Sequence, residues 1–226
     1  MNKITLRGLR RWPLLAGLLL LAGCGKYEPP PFHSNMVEMD RQGVAAGQEQ
    51  DIANILDALF GTPDAPFVLA ETGLDLKKLE QAAGPVRSDQ FGKESGLYRR
   101  HCGHCHGTTG DGLGPTALIL NPYPRDYRQG KFKFKSTDRP DKPTTADLEM
   151  ILRHGIPGTA MPSFDLLPDS QLQVLIEYVK YLSMRGETEI RLISAMTELS
   201  EGTLEISRAA IVDEILKPVV ENWTVA

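Results

Sequence analysis

Cysteine is scarce: three in 226 residues, two of them inside RRHCGHCHGTTGDG, residues 99–112. No second pair stands at zinc spacing, and His101, His104 and His106 lie too close to the cysteines in sequence to converge on one tetrahedral ion, which argues against structural zinc. A long hydrophobic run is missing as well. The apolar stretch from about Leu14 to Ala22 is roughly half of the 20 residues that a spanning helix needs. Positive charge is not in excess: without its first 23 residues the chain holds 21 basic against 29 acidic residues. That balance excludes nucleic acid as the expected partner. There is no internal repeat.

What is present begins with an export signal: Lys3, Arg7, Arg10 and Arg11 without an acid, then the apolar run, then Gly23 and Cys24. Leu21-Ala22-Gly23-Cys24 resembles a bacterial lipobox, which implies cleavage over residues 1–23 and a lipid on Cys24 as membrane anchor. The implied location is the periplasmic side of a bacterial membrane, an oxidising compartment. Residues 24–43, with Pro29-Pro30-Pro31, read as a flexible tether without a fold. Residues 44–85 read as an extension with one amphipathic helix, Ile52, Ile55, Leu56, Leu59 and Phe60, stopped by Gly61-Thr62-Pro63. The rest of that extension, 61–85, reads as surface wrapping. Residues 86–185 form the compact unit. It opens with a helix over SDQFGKESGLYRRHCGHCH and closes with one over PDSQLQVLIEYVKYLSM, striped by Leu172, Leu175, Ile176, Val179 and Leu182. Between them TTADLEMILRHG reads as a short helix capped by Thr144 or Thr145, with Glu149 too distant for a capping box. Residues 186–226 read as a helical extension of two patterns, one ending at Leu199 and one kinked by Pro218.

CGHC alone fits thiol-disulfide exchange, but that chemistry follows a buried hydrophobic strand, and SGLYRR is polar. His106 completes Cys-x-x-Cys-His, the attachment pattern of a c-type haem. Cysteines three apart on a helical turn face one side and can each add to a haem vinyl group, with the adjacent histidine beneath the iron. The opposite ligand is offered by Met161 in HGIPGTAMPSF, between glycine and proline turn residues; its thioether suits ferrous iron. His154 is the rival ligand. Two axial ligands leave no vacancy for a substrate on the iron, so electron transfer is expected rather than peroxidase or sensor chemistry. Arg125, Tyr127 and Arg128 are candidates for the haem propionates. In KFKFK, Lys131, Lys133 and Lys135 alternate with Phe132 and Phe134 as in an edge strand or flap, phenylalanines inward, and the lysines offer a docking face for an acidic redox partner.

Four stretches together, LYRRHCGHCHG, GDGLGP, GTAMPSF and the closing helix with LIEY, resemble the class I c-type cytochromes over about Phe91 to Ser183. The resemblance implies an all-α, cytochrome c-like fold around one covalent haem c, here with helical N- and C-terminal extensions. It implies that the Pro115 carbonyl accepts the ring N–H of His106, and that Tyr98 crosses Leu175 and Tyr178 where the first and last helices meet. One departure is visible: Glu94 stands where a small residue is expected, and Gly96 is displaced by two. The expected function is a lipid-anchored periplasmic electron carrier, not an enzyme, serving redox partner proteins such as a respiratory complex or terminal oxidase. The alternatives are a thiol-disulfide oxidoreductase using CGHC and an interaction subunit of a larger respiratory or dehydrogenase complex.

Overall fold

A computed structural model describes residues 27–198 and 208–224. The export signal, Cys24 and Leu199 lie outside them. Helices are the dominant regular structure of the described chain, with one two-stranded hairpin besides, and one helix, α7 (Asp169–Glu198), organises the rest. Its sequence stripe from Leu172 to Leu182 is buried, but so are Val174, Tyr178, Tyr181 and Met184 on its other faces. A helix buried all round needs neighbours all round. These are α1 (Met36–Gln42), α2 (Ala46–Phe60), α3 (Leu76–Ala82), α4 (Leu97–His101), α6 (Thr145–His154) and the 3₁₀ turn Tyr127–Gln129. Buried hydroxyls on α7 bond back into it, Ser183 to the Val179 carbonyl at 2.9 Å and Thr188 to that of Met184 at 2.7 Å. They ask nothing of the packing partners.

Several sequence expectations need correcting. α7 crosses the expected boundary at 185/186 without a break. Gly186 at that point is no breaker: a Cβ there would overlap the backbone of Arg128, so glycine lets the Tyr127–Gln129 turn lie directly on the helix. The tether is folded from Phe32 onward. Asn35 caps α1 by accepting the Glu38 N–H at 3.3 Å, and Phe32, Asn35 and Met39 are buried. The Asn35 N–H donates to Glu189 at 2.6 Å, and the Arg185 guanidinium lies 4.1 Å from the Phe32 ring. Residues 61–85 do more than wrap the surface, because α3 buries Leu79 and Ala82 against α7.

The helix expected over SDQFGKESGLYRRHCGHCH is mostly something else. β1 (Arg87–Ser88) and β2 (Glu94–Ser95) pair antiparallel, Arg87 opposite Ser95 and Ser88 opposite Glu94. Gly96 then takes a left-handed φ of 72°, and a Cβ there would overlap the Pro85 carbonyl. That conformation suits glycine and stops a helix from running through. Only α4 and the one-turn α5 (Gly103–His106) remain helical. Tyr98 still meets Tyr178 across α4 and α7, with ring centroids 4.8 Å apart.

α6 is capped by Thr144, and Asp147 rather than Glu149 closes the box. At the C-terminal end, α8 (Arg208–Ala210) passes into a π-helical stretch, Ile211–Leu216, and then α9 (Lys217–Thr224). The Lys217 N–H reaches the Val212 carbonyl five residues back. The widened turn falls just ahead of Pro218, which has no N–H to continue the ladder.

Candidate functional site

The CxxCH stretch occupies the joint between α4 and α5. The Cys102 N–H ends α4 on the Tyr98 carbonyl at 2.8 Å, and the Cys102 carbonyl starts α5 by accepting from Cys105 at 3.1 Å and His106 at 2.9 Å. The single turn brings Cys102, Cys105 and His106 to one cleft of about 280 Å³. Leu148 and Leu152 of α6 and Ile176 and Val179 of α7 line it with apolar surface. Met161 and Phe164, from the loop after α6, also line it. That loop is bound tightly: Met161 N–H to Thr159 Oγ1 at 3.1 Å, Ile156 N–H to the Met161 carbonyl at 3.2 Å, and Phe164 N–H to the Leu152 carbonyl at 2.8 Å.

His106 is fixed by what surrounds it. Its Nδ1 lies 3.1 Å from the Arg125 carbonyl. A carbonyl only accepts, so Nδ1 carries the proton and Nε2 keeps its lone pair for a metal. Burial lowers the pKa of the ring, against the hydrogen bond to Arg125, which favours the neutral, ligating form. The Tyr127 ring stacks on it at 4.6 Å and 17°. Phe132 stacks on Tyr127 at 6.2 Å, and Trp223 meets Phe132 edge-on at 5.9 Å. Trp223 in turn donates its indole N–H to Glu187 at 2.9 Å, and Glu187 pairs with Lys142. Thus α9 backs the histidine.

The site residues read from the sequence therefore divide. Cys102, Cys105, His106, Met161 and Arg125 line one cleft. Pro115 does not: it is exposed, and the carbonyl that meets His106 belongs to Arg125. The chain turns away after Pro115 into the 3₁₀ turn Ala117–Ile119 and returns to the histidine ten residues later. Arg128 is also unavailable to the cleft, with its Nε and Nη2 each 3.0 Å from the Asp126 carboxylate. His154 is exposed at the end of α6, outside the lining. Residues 131–135 form no strand: Phe132 packs inward, while Phe134 is partly exposed at the rim of the cleft beside Lys133. The Asp147 carboxylate ties this flap down, accepting from Ser136 N–H at 2.9 Å and Ser136 Oγ at 3.1 Å. The sequence reading missed the His106–Tyr127–Phe132–Trp223 chain, whose members stand far apart with no shared period.

The chemistry of the cleft favours one kind of occupant. Burial pushes the Cys102 thiol up to about 12, with the neighbouring Cys105 adding to it. A thiol-exchange enzyme needs the opposite shift. Among the described residues no three His, Cys, Asp or Glu side chains converge as a metal cage. His101 Nε2, buried in the lining of the cleft, has no hydrogen-bond partner in the protein. An orphaned polar atom there fits a wall completed by a bound group. Two thiols, one imidazole nitrogen and one thioether around an apolar cleft fit a covalent haem, which Cys102, Cys105, His106 and Met161 could hold.

A comparison with protein families agrees. The family model described as cytochrome C oxidase, cbb3-type, subunit III matches residues 92–179. A solved structure, a chain of the Kuenenia stuttgartiensis reducing HAO-like protein complex, is 28% identical over 42% of this chain and 43% of that one, with a TM-score of 0.38. The similarity thus spans less than half of that neighbour. No curated protein matches. The attachment motif, the helical fold around an apolar cleft and the family match identify residues 92–179 as a class I c-type cytochrome domain that binds haem c covalently.

Proposed function

We propose that this protein is an electron carrier anchored by a lipid on Cys24 to the periplasmic side of a bacterial membrane, with His106 and Met161 as the axial ligands of its haem. One observation carries the ligand assignment: Met161 lines the same apolar cleft as His106. When bound, the haem supplies a one-electron change of valence at iron. The chain's residues do the rest. Cys102 and Cys105 hold the group, the Arg125 carbonyl orients the His106 ring, and the hydrogen-bonded 156–164 loop holds the thioether in place. Leu148, Leu152, Ile176 and Val179 keep water off, which limits reorganisation as the charge changes. Arg125, in the lining of the cleft, is placed to meet a propionate.

The anchor and compartment rest on the N-terminal sequence, Lys3 to Cys24. The partner is a redox protein with an acidic docking face, because Lys131 and Lys133 stand exposed beside the cleft in a chain that is otherwise acidic. A second reading, a haem-bearing subunit of a respiratory complex, draws on the name of the matching family, which describes an oxidase subunit.

Denaturing electrophoresis with haem staining tests attachment: colour should stay with the wild-type chain and vanish in Cys102→Ala/Cys105→Ala. The red sulfur-to-ferric-iron charge-transfer band tests ligation. It should be present in wild type and lost in Met161→Ala; its absence from wild type would refute the methionine ligand.

A further inference from the structure

Two consecutive residues of α4 hold features that electron transfer at the haem does not use. The Arg99 guanidinium pairs with Asp64 and with the hydroxyl of Tyr27. The next residue, Arg100, pairs with Glu94 at the base of the β1–β2 hairpin. Neighbouring residues of one short helix therefore hold the entering chain and the hairpin, immediately before Cys102.

The hairpin tip is fastened rather than loose. The Asp89 side chain accepts the N–H groups of Phe91 at 2.9 Å and Lys93 at 2.8 Å. The Asp89 N–H donates to the Lys93 carbonyl and the Gly92 N–H to that of Asp89, both at 3.0 Å. This turn presents Phe91 to solvent with 86% of its surface exposed. Arg87, Lys93 and Val86 beside it are exposed as well. A lone exposed phenylalanine has no meaning by itself. The chain ahead of it supplies one: only Gly25 and Lys26 separate Tyr27 from Cys24, a reach of about 11 Å at full extension.

We propose that the hairpin tip is a second membrane contact, in which Phe91 enters the interfacial layer of the bilayer beside the acylated N-terminus while Arg87 and Lys93 meet anionic headgroups. The inference rests on acylation at Cys24 as proposed above. An aromatic ring flanked by cations suits that layer. A lipid joined through a short stretch of chain holds a domain at the membrane but leaves it free to turn, and a second contact fixes its aspect. With both contacts made, the haem cleft that begins at Cys102 is held at one height and one aspect to the membrane, so that its partner is a protein of the same membrane surface.

The test uses full-length acylated holoprotein carrying Phe91→Trp, in phosphatidylethanolamine/phosphatidylglycerol vesicles with plain or brominated acyl chains. Wild type supplies the Trp223 background. Bromination should lower the added emission at least twofold; equal emission in the two vesicles overturns the proposal. Co-sedimentation of haem with vesicles and the mass of the N-terminal peptide read the anchor separately. Bound, acylated protein with an unquenched Trp at 91 refutes the hairpin contact and leaves the anchor standing, whereas an unacylated, unbound chain refutes both. Phe91→Ser should stay on the vesicles and keep its haem spectrum, yet lose the linear dichroism of the haem band in oriented bilayers. Unchanged dichroism in that variant also overturns the proposal.

Discussion

Replacing a mid-helix glycine by alanine ordinarily stabilises a protein by up to about 1 kcal/mol, because alanine has the better helix propensity and restricts the unfolded chain. At Gly186 the structure demands the opposite sign. The added Cβ would overlap the Cα, Cβ and carbonyl oxygen of Arg128, and backbone atoms cannot escape by changing rotamer. Overpacking of this kind costs about 1–3 kcal/mol, and a clash with main chain belongs at the upper end. Subtracting the propensity gain leaves a loss of about 2 kcal/mol. For a chain of this size that is a fall in Tm of about 4–8 °C. The matched control is Gly47→Ala in the first turn of α2, where a Cβ meets nothing within 4 Å and Tm should hold or rise. Calorimetry on both holoproteins makes the comparison. The displaced turn carries Tyr127, stacked 4.6 Å from His106, so Gly186→Ala should also shift the reduction potential while Gly47→Ala does not. A Gly186→Ala variant as stable as Gly47→Ala, with an unchanged potential, would refute the close approach.

Asp147→Asn should cost about 2 kcal/mol by weakening charge-assisted bonds to Ser136 and Thr144. Burial raises the Asp147 carboxyl, but those hydrogen bonds outweigh it and the net pKa is lowered. Its contribution is therefore complete above the ordinary carboxylate range and lost as pH falls through the depressed value, so urea midpoints of wild type and variant should converge between about pH 5 and pH 2. Arg185→Ala strips the buried Glu189 of its partner and should cost about 3–5 kcal/mol, whereas Arg185→Met with Glu189→Leu should recover part of it, the Asn35 N–H having lost its acceptor; equal losses would show that the stranded Glu189 charge is not the cause. Lys131→Glu with Lys133→Glu should slow reduction by an acidic donor and flatten its dependence on salt, as read by stopped flow. Trp223→Ala should cost about 3–5 kcal/mol and shift the potential through Phe132 and Tyr127. Met39→Ala, which opens the core where α1 is buried, should destabilise without that shift.

The parts of the site that the sequence displays are those built within one turn or one loop. CGHCH needs only its own helical turn to face one way, and GTAMPSF closes on itself through Thr159 and Ile156, so both can be read from adjacent residues. The acceptor for His106 is a backbone carbonyl, which leaves no signature in residue type; Pro115 was expected there and the Arg125 carbonyl is found. The same limit explains the helix that was overextended toward Ser88. Polar residues at 88–96 carry no stripe to contradict a helix, and what ends it is Gly96 pressed against the Pro85 carbonyl, a tertiary contact. The helix runs through the expected boundary at 185/186 for a further reason. Glycine punctuates a chain only when its conformation is special, and Gly186 is an ordinary helical residue chosen for closeness, so α7 carries the cytochrome's last helix straight into the extension. The extension then returns to the cleft: Trp223 lies outside the family match, yet it packs two aromatic rings away from His106. The folded unit around the haem is thus larger than the recognised domain. Its inner surface is shared between short motifs read from the sequence and a C-terminal segment that only packing reveals.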